Sequence, residues 1–325
     1  MSIISTKEIF EAKYRISDVI HHTPLFHSES LGRAAGVELF LKAENLQKTG
    51  SFKIRGAANK ILAIPREEGA KGIITASSGN HGQAVAYAAR MCGYKATVVM
   101  PEGGSRVKAD SIEEYGAELL FRGSASEDRI SYAKELCAER GAVYVPPYDD
   151  PLVMAGQGTI GLEIMDDLDG VAAVLVPTGG CGLIAGIAVA VKELNPSVAV
   201  LGVEPEGSNS TGVSLRVGKR TALNTINTVA DGIRTTIPGE ITFPIVQRYV
   251  EDMLTVTDED IFRAQYLILE RCKLLAEPTG AVSVAAVLSG VLPEKYRGRR
   301  VVAVVSGGNV SMEQLRESLN QPCRL

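Results

Sequence analysis

Short apolar runs rich in valine and isoleucine alternate along the chain with longer stretches of helical period. The runs at 37–44 (VELFLKAE), 72–77 (GIITAS), 95–100 (KATVVM), 118–122 (ELLFR), 143–146 (VYVP), 171–177 (VAAVLVP), 198–204 (VAVLGVE) and 300–306 (RVVAVVS) predict strands. Several are apolar at nearly every position, as strands covered on both faces are. Between them the spacing predicts helices at 82–93, 107–117, 126–141, 183–194 and 258–276. Alternation of this kind builds an α/β fold, a mostly parallel open sheet flanked by helices. The unit repeats evenly from 72 to 146, so we expect a small domain at 71–147 and a large domain formed by 1–70 plus 148–325.

The length supports that division, because 325 residues exceed what a single hydrophobic core usually holds. The net charge is −4, with acids and bases interleaved, which argues against a nucleic-acid binder. Residues 171–191 carry no charge and could be mistaken for a membrane span, but PTGGCG at 177–182 interrupts any helix there. Strand, tight loop and buried helix is the better reading, with no membrane segment. The N-terminal stretch has charges at Lys7, Glu8, Glu11 and Lys13 and so lacks the apolar core of a signal peptide. Five cysteines (Cys92, Cys137, Cys181, Cys272, Cys323) are odd in number and widely spaced. They fit neither a disulfide framework nor a paired zinc site, and a cytoplasmic location is expected.

In open α/β sheets ligands bind beyond the carboxyl ends of the strands, so the turns that follow strands are where chemistry belongs. After the strand at 171–177 comes Thr178-Gly179-Gly180-Cys181-Gly182 and then the helical segment beginning at Leu183. Such a loop can converge backbone N–H groups on a phosphate, with the helix N-terminus adding positive potential. It can also be a turn that merely lets strand and helix pack closely. Gly180 to Ala185 further satisfies the dinucleotide pattern G-x-G-x-x-A, with Glu204 placed as a ribose-binding acid, so an NAD-dependent oxidoreductase stays open at this point. Lys53 lies between Gly50 and Gly56, follows Phe52, and has apolar neighbours. Most lysines are solvated surface charges, but one desolvated in this way becomes a nucleophilic amine able to form a Schiff base. A nucleophilic lysine and a phosphate loop together are what a pyridoxal-phosphate site requires. The segment Ser77-Ser78-Gly79-Asn80-His81-Gly82 caps a helix and could also receive a carboxylate. Ser306-Gly307-Gly308-Asn309 follows the last strand.

Taken in order, SFKIRGA at 51–57, SSGNHGQA at 77–84, AGQGT at 155–159, the glycine loop, ADGI at 230–233, EPT at 277–279 and SGGN at 306–309 resemble the threonine dehydratase and serine racemase family. The match runs from Thr23 to Asn309 and rests on the number, order and spacing of the motifs. These are pyridoxal-phosphate (PLP) enzymes of the tryptophan-synthase-β fold, fold type II. The resemblance implies that Lys53 binds PLP and shuttles the Cα proton, Phe52 flanks the ring, and Asn80 bonds the phenolic oxygen. It implies that Gly179, Gly180, Cys181, Gly182 and Leu183 cradle the phosphate and that Ser306 faces the pyridine nitrogen. Ser77, Ser78, Gly79, Asn80 and His81 would receive the substrate carboxylate, Ser78 would match the second acid/base of the racemases, and Arg129 would contact substrate. A neutral hydroxyl at the ring nitrogen stabilises the protonated ring less than a carboxylate would, which favours loss of the β-hydroxyl over transamination.

Departures from the family pattern matter as well. Cys181 replaces the third glycine of the usual run, and Tyr148 stands where the racemases have an asparagine. Glu204 matches the glutamate and Ser208 the backbone-carbonyl position of a Mg²⁺ or Ca²⁺ site in some members, but Ser210 replaces its second carboxylate, so a divalent cation is possible rather than expected. The expected reaction is β-elimination of water from L-threonine or L-serine to a 2-oxo acid and ammonia. Serine racemase and a 3-hydroxyaspartate or hydroxyectoine-pathway dehydratase remain alternatives, and a non-catalytic small-molecule binder is a further one. Expected partners are a small hydroxy amino acid and, as in the family, further copies of the chain in a homodimer or homotetramer.

Overall fold

The computed structural model describes residues 4–77, 79–103, 106–123 and 126–319. Among these, ten strands form two sheets: β1 (Leu25–His27), β2 (Glu38–Ala43), β3 (Ile73–Ala76), β4 (Ala96–Met100), β5 (Glu118–Phe121), β6 (Val143–Tyr144), β7 (Val171–Pro177), β8 (Ala199–Pro205), β9 (Asp252–Val256) and β10 (Arg300–Val305). The larger sheet runs β1-β2-β10-β7-β8-β9 and the smaller β5-β4-β3-β6. Every pairing is parallel except β1 with β2. The strands predicted by β-branched runs are all present. The sequence pattern gave no strand at β1 or β9, which are short and lie at the two edges of the large sheet.

Side chains of the large sheet alternate between two apolar layers, as the strand period requires. Leu39, Leu41, Leu201, Val301 and Val305 pack with Val282 and Ala285 on one face. Val174, Val176, Val200, Val302 and Val304 pack with Ile184, Ile187 and Val191 on the other. The small sheet is likewise covered, by Val85, Ala89 and Ile112 on one side and by Ala133 and Leu136 on the other. No helix among the described residues is long and apolar enough to cross a membrane.

One helix sets the geometry of the cleft. Pro151–Asp167 begins with proline at its first position, and the Asp150 carboxylate accepts from the N–H of Leu152 at 2.9 Å and of Val153 at 3.1 Å, a regular N-cap. Its glycines bring two other helices very close. A Cβ on Gly156 would lie 2.5 Å from the Arg55 carbonyl oxygen of helix Lys53–Leu62. A Cβ on Gly186 of helix Gly182–Leu194 would lie 2.2 Å from the Met154 carbonyl oxygen. Both helices point their N-termini at the cleft, so this shared packing fixes Lys53 relative to the glycine loop.

Candidate active site

A cavity of about 530 Å³ opens between the two sheets at the carboxyl ends of β3, β7 and β10. Three turns reach it, as the topology predicts. The chain enters helix Lys53–Leu62 from an isolated bridge between Ser51 and Gly307, and Phe52 donates its N–H to the Ser306 carbonyl at 3.1 Å. Lys53 is therefore tied by backbone to the end of β10. Its amine donates to the Pro147 carbonyl at 2.8 Å and lies 5.1 Å from the centre of the Phe52 ring. Burial pushes the Lys53 pKa down to about 8 although Glu277 pulls it upward, so a substantial neutral fraction is present at mildly alkaline pH.

In the glycine loop, none of the backbone N–H groups of residues 179–184 donates to a backbone carbonyl, while Thr178 donates to Val203 and Ala185 is the first residue of the helix to find its partner, Cys181. A run of undonated amides at a helix N-terminus is an anion cradle awaiting acceptors. Close neighbours require its glycines: a Cβ on Gly180 would come 2.4 Å from the Tyr148 ring, and one on Gly182 2.8 Å from the Tyr148 Cβ. Thr242 also donates its hydroxyl to the Gly180 carbonyl at 2.9 Å. Cys181 sits in the left-handed region at φ 71°. Its buried thiol is 3.3 Å from the Thr211 hydroxyl, and desolvation pushes its pKa up to about 12, so it is an inert packing group.

The third turn follows β3. The Ser77 hydroxyl accepts from the N–H of Gly79 at 3.1 Å and of Gly82 at 3.0 Å, capping helix Asn80–Met91. Asn80 donates to Glu277 Oε1 at 2.5 Å, and its carbonyl accepts from Asn309 Nδ2 at 3.0 Å, so its amide is oriented from both sides. His81 donates from Nε2 to the Val145 carbonyl at 3.1 Å. Burial and the nearby Lys53 push its pKa down to about 3, so it is neutral. Leu183, Ser306 and Arg129 line the same cavity, the last two being buried. Ser78 lies outside the described residues.

Of the candidate cation ligands, Glu204 is held through its side chain and Ser208 through its hydroxyl, which leaves the Ser208 carbonyl out of these contacts. The two Glu204 oxygens accept from the N–H groups of Thr211 and Gly212, both at 2.9 Å, and the Ser208 hydroxyl donates to the Ile233 carbonyl. With both oxygens turned onto a helix N-terminus, Glu204 is already engaged by backbone donors, which weakens the dinucleotide reading. No group of three or more His, Cys, Asp or Glu side chains suited to a metal occurs among the described residues.

Glu277, Lys108 and Asp231 line the cavity too. The ADGI and EPT segments contain the two acids but gave them no role, and Lys108 sits in no motif at all.

A Schiff-base-competent lysine, an amide cradle for phosphate and a buried hydroxyl at Ser306 match the donor set that PLP requires, and the fold with its cleft at the strand ends is that of the type II PLP enzymes. Sequence comparison agrees: residues 16–307 match the family described as pyridoxal-phosphate-dependent enzyme, and the chain belongs to it. Its cofactor is PLP, and the NAD alternative is set aside. The chain is 44% identical to an L-threonine ammonia-lyase of Thermotoga maritima over 98% of its own length and 79% of the relative's. It is 40% identical to a catabolic L-threonine dehydratase of Escherichia coli K12 over 97% of this chain and 95% of that one. Its structure superposes on maize serine racemase with a TM-score of 0.94 and 36% identity, covering 98% and 97% of the two chains.

Proposed function

We propose that this enzyme converts L-threonine or L-serine to the corresponding 2-oxo acid and ammonia. The observation that carries the reading is that one cavity holds both the partly neutral Lys53 amine and the undonated amides of 179–183. Bound PLP supplies an electron sink that makes the Cα–H of an attached amino acid acidic enough for an amine to remove. In this reading Lys53 would carry the cofactor and hold the Cα proton, and its lowered pKa of about 8 gives it a larger neutral fraction than an ordinary lysine has. The amides of Gly179 to Leu183 would hold the phosphate, and Phe52 would flank the ring. Asn80, oriented by Glu277 and Asn309, donates to the phenolic oxygen. The Ser306 hydroxyl, which lines the cavity, would meet the ring nitrogen with a neutral group. The turn from Ser77 to His81, with Arg129 nearby, orients the substrate carboxylate. Residues 71–147 act as a small domain carrying that turn, against a large domain of 1–70 and 148–325. The four described thiols at Cys92, Cys137, Cys181 and Cys272 are free, which suits a cytoplasmic enzyme. Assembly into dimers or tetramers is part of the same proposal.

The test uses purified protein and a panel of hydroxy amino acids, scored for 2-oxo acid and for the inverted enantiomer. Threonine or serine turnover with a visible cofactor band, both abolished in Lys53→Ala, is the expected result. Turnover that survives Lys53→Ala would refute the assignment. Dominant inversion would favour racemisation, a second reading that the likeness to maize serine racemase supports.

A further inference from the structure

Two acids in otherwise unassigned motifs meet a lysine from the opposite side of the cleft. Lys108 belongs to helix Arg106–Glu114, between β4 and β5 of the small sheet. Asp231 and Glu277 lie in segments between strands of the large sheet. Lys108 Nζ is 2.7 Å from Asp231 Oδ2 and 3.7 Å from Glu277 Oε2. Lys108 and Glu277 are buried, at 4% and 2% exposure, so this is no solvated surface pair.

We propose that Lys108 is a positioning residue, a latch that holds the two halves of the cleft together and sets Gly79 and Asn80 where the substrate is proposed to bind. The lysine stem runs directly under that turn: a Cβ on Gly79 would lie 2.4 Å from Lys108 Cδ and 3.2 Å from its Nζ. Gly79 thus leaves room for the stem, and the stem supports the turn. The far end of the cluster reaches the same turn by a second route, through Glu277 Oε1 to the Asn80 amide. The cluster also has room to tighten. Glu277 Oε2 is buried with no hydrogen-bond partner among the described residues, and a small advance of Lys108 from 3.7 Å would supply one. Any approach of the small sheet to the large one on ligand binding would make that advance, so the completed pair would favour the liganded state.

Other charges around Glu277 agree with this arrangement. Burial raises its pKa to about 7, Lys108 opposes that rise, and Asp231 adds to it. Lys53 faces it from the first turn of its own helix.

The inference rests on the dehydratase reading, and the experiment separates the two. Holoenzyme is prepared as wild type, Lys108→Met, Asp231→Asn, the double variant and Lys108→Arg. If wild type shows no lysine-bound cofactor band or no turnover, the dehydratase reading fails by itself. Given a functional wild type, the single variants should keep the cofactor band yet raise KM for the hydroxy amino acid by about tenfold or more, with a smaller change in kcat. Amide hydrogen exchange should quicken over 106–114 and 79–91 while β7, β8 and β10 stay protected. Lys108→Arg should recover part of the KM loss, and the double variant should be no worse than the worse single variant. Wild-type KM and exchange in both single variants would overturn the proposal, as would strictly additive losses. Should Lys108→Met not fold, the half-buried Asp231→Asn carries the same comparison.

Discussion

The most severe single substitution outside the cleft is expected at Arg55, two residues beyond Lys53 on the same helix. Arg55 is wholly buried and donates to Glu44 at 2.8 Å from both Nε and Nη2, and to Glu163 at 2.6 and 2.8 Å from its two Nη atoms. Lys42, equally buried, contacts Glu163 at 2.6 Å and the Thr23 carbonyl at 2.7 Å. The fully buried part of the cluster is balanced, with Lys42 and Arg55 opposite Glu44 and Glu163, while the partly exposed Asp167 lies 3.6 Å from Lys42 at its edge. Arg55→Met keeps most of the side-chain volume but leaves one carboxylate buried without a counter-charge. Removing one partner of a buried pair costs about 3–5 kcal/mol, a large share of the ~5–15 kcal/mol that holds a typical protein folded. For a chain of this length that corresponds to a fall in Tm of about 6–10 °C at roughly 2 °C per kcal/mol. Arg55→Lys keeps the charge but cannot span both carboxylates, so it should fall between. Arg55→Met combined with Glu44→Gln should recover part of the loss, because the second change removes the orphaned charge. Calorimetry of the four proteins at neutral pH is the assay. An Arg55→Met variant melting within about 2 °C of wild type would refute the charge argument. Acid should act on the same cluster. Burial pushes Glu163 upward, but Arg55 and Lys42 more than offset this and hold its pKa below the ordinary value. A depressed carboxyl stabilises the fold above its unfolded pKa, and that contribution is lost as pH falls through the folded value.

Three further outcomes are expected. The folded apoenzyme holds Lys53 at about 8, below its unfolded value, so between that pH and about 10.5 the unfolded chain binds the extra proton and apoenzyme stability should rise with pH; reloading with PLP, followed by absorbance, should quicken as pH passes 8, and a pH-independent rate would contradict the assignment. Cys181→Gly removes the left-handed strain at φ 71° of about 1–2 kcal/mol while losing a buried thiol, so urea unfolding should find it at least as stable as Cys181→Ala, which keeps the strain and loses the thiol; the reverse order would refute this. Gly180→Ala places a methyl 2.4 Å from the Tyr148 ring and should weaken PLP affinity by about tenfold or more, measured by fluorescence titration, with partial recovery in Gly180→Ala/Tyr148→Ala; unchanged affinity in the single variant would show that the loop can shift at little cost.

How far these features were legible in the sequence follows from their physics. Strands such as β7 and β10 are covered on both faces, and their continuous apolar runs could be read directly. The helix Pro151–Asp167 escaped, because Val153 to Ile164 are buried all round and three glycines break the propensity signal. Those glycines are there for close helix packing, which is a property of its neighbours and leaves no period in its own segment. The same distinction divides the site. Lys53 and the loop at 179–182 have local signatures, an amine among apolar residues and a run of small residues after a strand. Lys108 has none: a lysine followed by Ala109 and Asp110 reads as a solvated helix face, and only the crossing of the cleft brings it to Asp231 and Glu277. Glu204 shows the converse. It stood at a strand end where either a ribose or a cation could have been its partner, yet the helix that begins at Ser210 supplies the N–H groups that occupy it. Motifs that bind a ligand through their own backbone can therefore be read in one dimension. Residues placed to join two halves of a cleft become visible only when both halves are in place, which is why the pairing of Lys108 with Asp231 and Glu277 emerged only from the structure.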